Sequence, residues 1–242
     1  MIYEGRKYYK ASCWVAAAEM AYSVTAEAYI NGVMQDETDS YSVREYGMEI
    51  INNPSVYGDK LVTLAKEMLN YGAKAQLLFG RKTNDLANNQ VTGYTMADVK
   101  PDNITSEVPD LSTGLETFGL SYYATSVVFL TKNTLRLYYK IEDKDTFDTY
   151  KSTITLNGEH ADYISKSGYI YFEVSDIPAA ELNTAQVLTI GEGNEKLTYS
   201  YSVLDFARRL TEDNCTEAEQ NMGKATYLYF SSAKEYFDSI KD

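Results

Sequence analysis

The segment Y-S-V-R-E-Y at residues 41–46 returns as Y-S-V-L-D-F at residues 201–206, and the reading of this pair decides the fold. Ser42 suits an N-cap. Its side-chain oxygen can accept from the amide of Glu45, and Glu45, three residues on, can reach back to the amide of Ser42, which makes a capping box. Tyr41 then stands at N′ and Tyr46 at N4, the two positions of a hydrophobic staple. Tyr201, Ser202, Asp205 and Phe206 take the same places, with the shorter Asp in the Glu position. Each hexapeptide therefore starts a helix. Val43, Tyr46, Gly47, Ile50 and Ile51 continue the first at helical spacing, and Val203, Phe206, Ala207 and Leu210 the second. A catalytic Ser–acid pair is the poorer reading. A serine nucleophile needs a base that titrates near neutrality, and the one histidine, His160, follows an Asn157-Gly158 turn and reads as an exposed turn residue.

Working outward, V-A-A-A-E-M (15–20) parallels I-P-A-A-E-L (177–182), each about twenty residues before its Y-S-V. S-V-T-A-E-A-Y-I (23–30) and K-L-T-Y-S-Y-S-V (196–203) alternate as half-buried strands do. A long amphipathic helix follows each capped one, over 58–79 with Gly80 as C′, and over 217–239 behind a Thr216–Glu219 capping box. Small residues at Gly72, Ala73, Ala75, Ser231, Ser232 and Ala233 permit close approach of helices. The second copy has a strand-rich lead: 122–130, 134–141, 152–156 and 168–174, with turn signals at Lys132-Asn133 and Asn157-Gly158. The first copy lacks such a lead, so it reads as N-terminally truncated, its missing strands lying upstream in a longer protein. The expected fold is α+β: two copies of a sandwich-like antiparallel sheet with a helix pair. Residues 1–81 form the truncated unit and 120–242 the complete one. Residues 82–119, rich in Asn, Asp, Thr and Gly, form a surface linker.

The segments E-M-L-N-Y-G-A-K-A-Q-L-L-F-G (67–80), L-A-N-N (86–89), A-A-A-E-M, Y-S-V-R-E-Y and N-M-G-K-A-T-Y-L-Y-F-S-S-A-K-E-Y-F (221–237) resemble a repeat module of secreted and cell-surface proteins of Gram-positive gut anaerobes. That module commonly ends large chains that can also carry leucine-rich repeats, dockerins, carbohydrate-binding modules or glycoside hydrolases. The resemblance spans nearly the whole chain. It implies an extracellular or cell-surface location and other domains of a longer parent chain as neighbours, and it brings no catalytic residues with it.

Composition narrows the partners. With 22 basic and 35 acidic residues the formal net charge is −13, which repels phosphate backbones and anionic lipid, so neither nucleic acid nor membrane insertion is expected. No run of 18 apolar residues is present, and the first twenty residues hold no apolar signal-peptide core. No cofactor is expected: P-loop, Rossmann, G-x-S-x-G and H-E-x-x-H patterns are all missing. Cys13 and Cys215 fit no redox or zinc spacing, and two separate, partly buried thiols are the simpler reading than a bridge. The stretch E-D-K-D-T-F-D (142–148) offers Asp143, Asp145 and Asp148 as weak calcium ligands but lacks the EF-hand Gly and Glu, and reads as a solvated loop between strands.

The 23 tyrosines carry the binding expectation. Strand alternation puts Arg136 and Tyr138 on one face of 134–141, and Tyr169 and Tyr171 on one face of 168–174, with Leu135, Leu137, Tyr139, Ile170, Phe172 and Val174 opposite. If the aliphatic face is the core, the tyrosines form an aromatic strip suited to a polysaccharide. The plainer expectation is that helices cover that face. The functional reading is a non-catalytic module of an exported multidomain protein, serving as spacer, scaffold or adhesion surface toward a polysaccharide or surface protein. The alternative is a carbohydrate-binding module using Tyr138, Tyr169, Tyr171 and Arg136, and the third is a hydrolase with an acidic pair.

Overall fold

The computed structural model describes residues 2–3, 6–7, 12–129, 133–166 and 168–241. Lys132 of the expected Lys132-Asn133 turn and Leu130 of the expected 122–130 strand lie outside them. Two short strands, β1 (Ile2–Tyr3) and β2 (Arg6–Lys7), pair antiparallel, and a 3-10 turn at Ala17–Glu19 leads into the hairpin of β3 (Val24–Ile30) and β4 (Val33–Tyr41). Helices α1 (Val43–Asn52), α2 (Pro54–Tyr57) and α3 (Asp59–Phe79) complete the first unit. The connecting segment holds α4 (Pro101–Ile104) and a 3-10 turn at Leu115–Phe118. The second unit runs β5 (Leu120–Val128), β6 (Thr134–Ile141), α5 (Lys144–Tyr150), β7 (Thr155–Leu156), β8 (Glu159–His160), β9 (Ile164–Lys166) and β10 (Tyr169–Val174). The 3-10 turn Ala179–Glu181, the counterpart of Ala17–Glu19, precedes β11 (Gln186–Ile190), β12 (Leu197–Tyr201), α6 (Val203–Arg209) and α7 (Glu217–Ser239).

The chain is therefore α+β, and the two Y-S-V segments do the same local work. Ser42 Oγ accepts from the Glu45 amide at 3.1 Å while Glu45 accepts from the Ser42 amide at 2.7 Å; Ser202 and Asp205 repeat this at 3.1 and 2.6 Å. Thr216 and Glu219 box the start of α7 in the same way. The local correspondence extends to the turn before each hairpin. The Arg44 amide donates to Met20 O at 2.9 Å, and the Leu204 amide donates to Leu182 O at 3.0 Å, so each capped helix is latched to its own A-A-E turn.

In the second unit the strands form two antiparallel four-stranded sheets, ordered β5-β6-β10-β9 and β12-β11-β7-β8. Leu135, Leu137, Tyr139, Ile170 and Phe172 from one, and Leu188, Ile190, Tyr199 and Tyr201 from the other, are buried in one continuous core, the arrangement of a β-sandwich. Asn157 and Gly158 carry the two positive φ angles of a type I′ turn between β7 and β8. Helices α3 and α7 pack together, with the Tyr71 and Tyr229 rings 4.9 Å apart, and their buried faces join the sandwich core through Phe129, whose ring lies 6.0 Å from Tyr71.

Several expectations are corrected. β3 is not half-buried: all seven residues are exposed, because β3 and β4 make a two-stranded ribbon with no second sheet packed on it among the described residues. The 142–148 stretch is not a loop; Asp143 caps α5, accepting from the amides of Asp145 and Thr146 at 3.0 and 3.2 Å. Only Thr155–Leu156 of 152–156 is strand, since residues 151–153 continue α5 as a 3-10 turn. The Tyr41–Tyr46 staple is open to solvent, with both rings about half exposed, whereas Tyr201 at the matching place is fully buried. Residues 82–119 lie across both units on buried anchors at Ala87, Val99, Ile104, Leu111, Leu115 and Phe118. Fully buried Gln76 fixes the entry to that segment: its amide donates to Lys82 O and Asp85 O and accepts from the Ala87 amide at 2.7 Å.

Candidate binding face

The outer side of the β5-β6-β10-β9 sheet gathers the residues singled out in the sequence. Antiparallel register sets Tyr171 opposite Tyr138, Glu173 opposite Arg136 and Tyr169 opposite Lys140. Because Leu135, Leu137, Tyr139, Ile170 and Phe172 turn inward and are buried, the alternate positions must turn outward. Among the described residues, the elements packed extensively on β6 and β10 are other strands, and no helix is packed extensively on either. The expected helical cover is therefore corrected: α3, α6 and α7 serve the core and the joint between units, and Arg136, Tyr138, Tyr169 and Tyr171 are left half-buried, packed by their neighbours on the same face.

The rings are ordered by one another. Tyr138 and Tyr171 lie 5.0 Å apart at 35°, and the Arg136 guanidinium sits 5.3 Å from the centre of the Tyr171 ring. Tyr123, unmentioned in the sequence reading, stacks on Tyr169 at 3.9 Å and 27° and is 55 % exposed. A bulge explains its arrival. The β5–β6 register shifts between Tyr122 and Ala124, so Tyr122 pairs with inward Tyr139, Ala124 pairs with outward Tyr138, and Tyr123 is the extra residue turned out. Plain alternation does not reveal such a bulge. Its sequence signal is the doublet Tyr122-Tyr123 in a strand whose inward set must also include Leu120 and Val127.

Arg136 and Lys140 on the face are each paired locally. Arg136 Nε donates to Glu173 Oε2 at 2.6 Å, and Lys140 Nζ donates to both carboxylate oxygens of Glu142 at 2.9 Å, with Ser121 Oγ donating to Glu142 at 2.8 Å. Burial pulls the Arg136 pKa down, but the Glu173 and Tyr138 hydrogen bonds outweigh it and the net shift is upward. The Tyr169 hydroxyl is raised, first by its hydrogen bond with Tyr123. Such a surface offers aromatic edges and faces, neutral hydroxyls and paired charges, with Lys166 opposite Tyr169 as its one further charge among the described residues, which suits an uncharged polyhydroxylated ligand.

The other candidate groups do not assemble. Asp143 is occupied as the α5 cap, where it also accepts from Thr146 Oγ1 at 2.8 Å; Asp148 is held by Lys144 and by Lys151, and no group of three potential metal ligands forms among the described residues. The weak calcium assignment to Asp143, Asp145 and Asp148 is corrected accordingly: helix capping and ion pairing have taken the oxygens it needed. Cys13 and Cys215 are free, with Cys13 exposed and Cys215 Sγ donating to Arg209 O at 3.4 Å. His160 is exposed, 3.9 Å from Asp162. No helix among the described residues is long and apolar enough to cross a membrane. Comparison of the chain with family models, curated proteins and solved structures returns no match.

Proposed function

We propose that this chain is a non-catalytic module of an exported multidomain surface protein, acting as a scaffold that presents an adhesion surface. The observation that carries the reading is the outer face of the β5-β6-β10-β9 sheet, where exposed Tyr123 and half-buried Tyr138, Tyr169, Tyr171 and Arg136 are ordered by one another on a sandwich. Binding residues held by strands need little further ordering on contact, and tyrosine loses few rotamers when it is covered. The exported setting rests on the resemblance of the residue segments quoted above.

The same face favours carbohydrate over protein as the thing adhered to. Rings set in pairs present long aromatic edges beside hydroxyls, and with Arg136 and Lys140 paired the face holds little net charge to attract a polyelectrolyte. A neutral polysaccharide is the ligand class of choice. Pull-down on insoluble polysaccharides and a glycan array, run with the native chain beside a Tyr138→Ala/Tyr171→Ala variant of unchanged circular dichroism, tests this. Retention of the native chain and its loss in the variant are expected. Equal retention of the two, or no retention of either, overturns the carbohydrate reading.

A further inference from the structure

The repeat supplies an internal comparison of its two hairpins. Tyr41 and Tyr201 each immediately precede an N-cap serine, and their cross-strand partners are Val24 and Gln186. Stepping along each strand from that anchor, Ala26 corresponds to Leu188. In the second hairpin Gln186, Leu188, Ile190, Tyr199 and Tyr201 are all buried, because the β5-β6-β10 sheet lies over them and β7 pairs with the far edge of β11. In the first hairpin the matching face is open: Val24 is 39 % and Tyr41 48 % exposed, Ala26 is exposed, and the far edge of β3 has no strand beside it among the described residues.

That face is also a formed cleft. Val15, Val24, Ala26, Tyr41, Val43 and Tyr46 line an apolar depression of about 450 Å³. Val43 packs on the main core, so the cleft continues the interior that the second unit closes with its own sheet. Charge defines what can fill it. From Ser12 to Val43 the chain has five acidic residues and no basic one. Glu27 stands on β3 itself, so pairing the β3 edges of two copies would bring like-charged strands together, which argues against self-association.

We propose that the β3 edge and its cleft accept a β-strand from another polypeptide segment, one with alternating apolar residues on its inward side and basic residues between them. This is strand addition: ladder hydrogen bonds would come from the free β3 edge, and specificity from apolar side chains entering the cleft. The pattern is one the chain itself uses, since Leu135, Leu137 and Tyr139 of β6 turn into the core while Arg136 and Lys140 turn out.

The test uses the full chain with a synthetic T-L-R-L-Y-Y-K-I peptide (residues 134–141) as probe, and as control the same peptide with both leucines and the second tyrosine changed to serine. Hydrogen exchange of the β3 amides and alkylation of Cys13, which borders the cleft, are followed during titration. The proposal expects saturable slowing of both by about tenfold or more, no effect of the control peptide, and loss of the response in Ala26→Asp, a change on an exposed strand. It also expects a monomer by sedimentation. Exchange and alkylation that ignore the probe overturn the proposal. A concentration-dependent dimer abolished by Ala26→Asp overturns it as well, assigning the face to a second copy.

Discussion

Replacing Gly223 by alanine is expected to destabilise the protein even though alanine is the better helix former. In α7, a Cβ built on Gly223 would lie 2.5 Å from the carbonyl oxygen of Ala207 in α6, 3.0 Å from Thr211 Cγ2 and 3.1 Å from Leu210 Cβ. Carbon–oxygen contacts settle near 3.3 Å, so α6 and α7 must part by about 0.8 Å. A backbone oxygen cannot rotate aside. A gap of that size forfeits about a quarter to a half of the dispersion at neighbouring contacts, and overpacking against a backbone oxygen that cannot move aside falls in the upper part of the usual range, about 2–3 kcal/mol. Helix propensity returns about 1 kcal/mol, leaving a net loss of about 1–2 kcal/mol and a Tm lower by about 2–8 °C for a chain of this size. Gly47→Ala is the matched control. Its Cβ would meet only side-chain atoms of Leu69, at 3.0–3.2 Å, which can give way by a few tenths of an ångström, so its net effect should lie within about 1 kcal/mol of zero. Urea denaturation followed at 222 nm measures both. Gly223→Ala as stable as the native chain, or Gly47→Ala the worse of the two, would refute the close α6–α7 crossing.

Three further outcomes are expected. Ser42→Ala and Ser202→Ala should each cost about 1 kcal/mol, as losses of capping boxes do, and should add in the double variant; thermal denaturation checks both. Burial raises the pKa of Tyr139, Tyr71 and Tyr201. Unfolded tyrosine ionises near pH 10, so their contribution is complete below that pH and falls away as pH rises toward the folded values; absorbance at 295 nm should show a late tyrosine fraction that titrates together with loss of ellipticity, and a single reversible transition near pH 10 for all tyrosines would contradict the packing. Asp85 is held low, first by its hydrogen bond to Arg44 and then by Lys82, so that link acts above about pH 4 and weakens as pH falls through the depressed value; Asp85→Asn should flatten the acid limb of stability, and an unchanged limb would show that the pair contributes nothing.

The helices were legible because their signals are local. Ser42/Glu45, Ser202/Asp205 and Thr216/Glu219 name their own helix starts, and Gly80 does name a helix end, with the left-handed φ of 62° that closes α3. The polar elements were not legible. β4, V-M-Q-D-E-T-D-S-Y, has no apolar alternation to mark it, and the Asn31-Gly32 pair, both at positive φ, was the available hairpin signal. α5 was hidden because D-K-D-T-F-D buries only Phe147. At the candidate face, Tyr138, Tyr169, Tyr171 and Arg136 followed from strand parity, since Leu135, Leu137, Ile170 and Phe172 fixed which side was core. Tyr123 did not follow, because a bulge breaks parity without changing composition. Whether helices would cover the face depended on where α3 and α7 docked, a long-range matter that no window of sequence contains.

The central claim is that the outer face of the β5-β6-β10-β9 sheet is the surface that meets a ligand, and amide NMR of the native chain during titration with soluble neutral oligosaccharides tests it most directly. The account predicts saturable shifts confined to residues around Tyr123, Arg136, Tyr138, Tyr169 and Tyr171, with the β11–β12 hairpin and the α3–α7 joint silent. Shifts clustered elsewhere, or none across the panel, would contradict it.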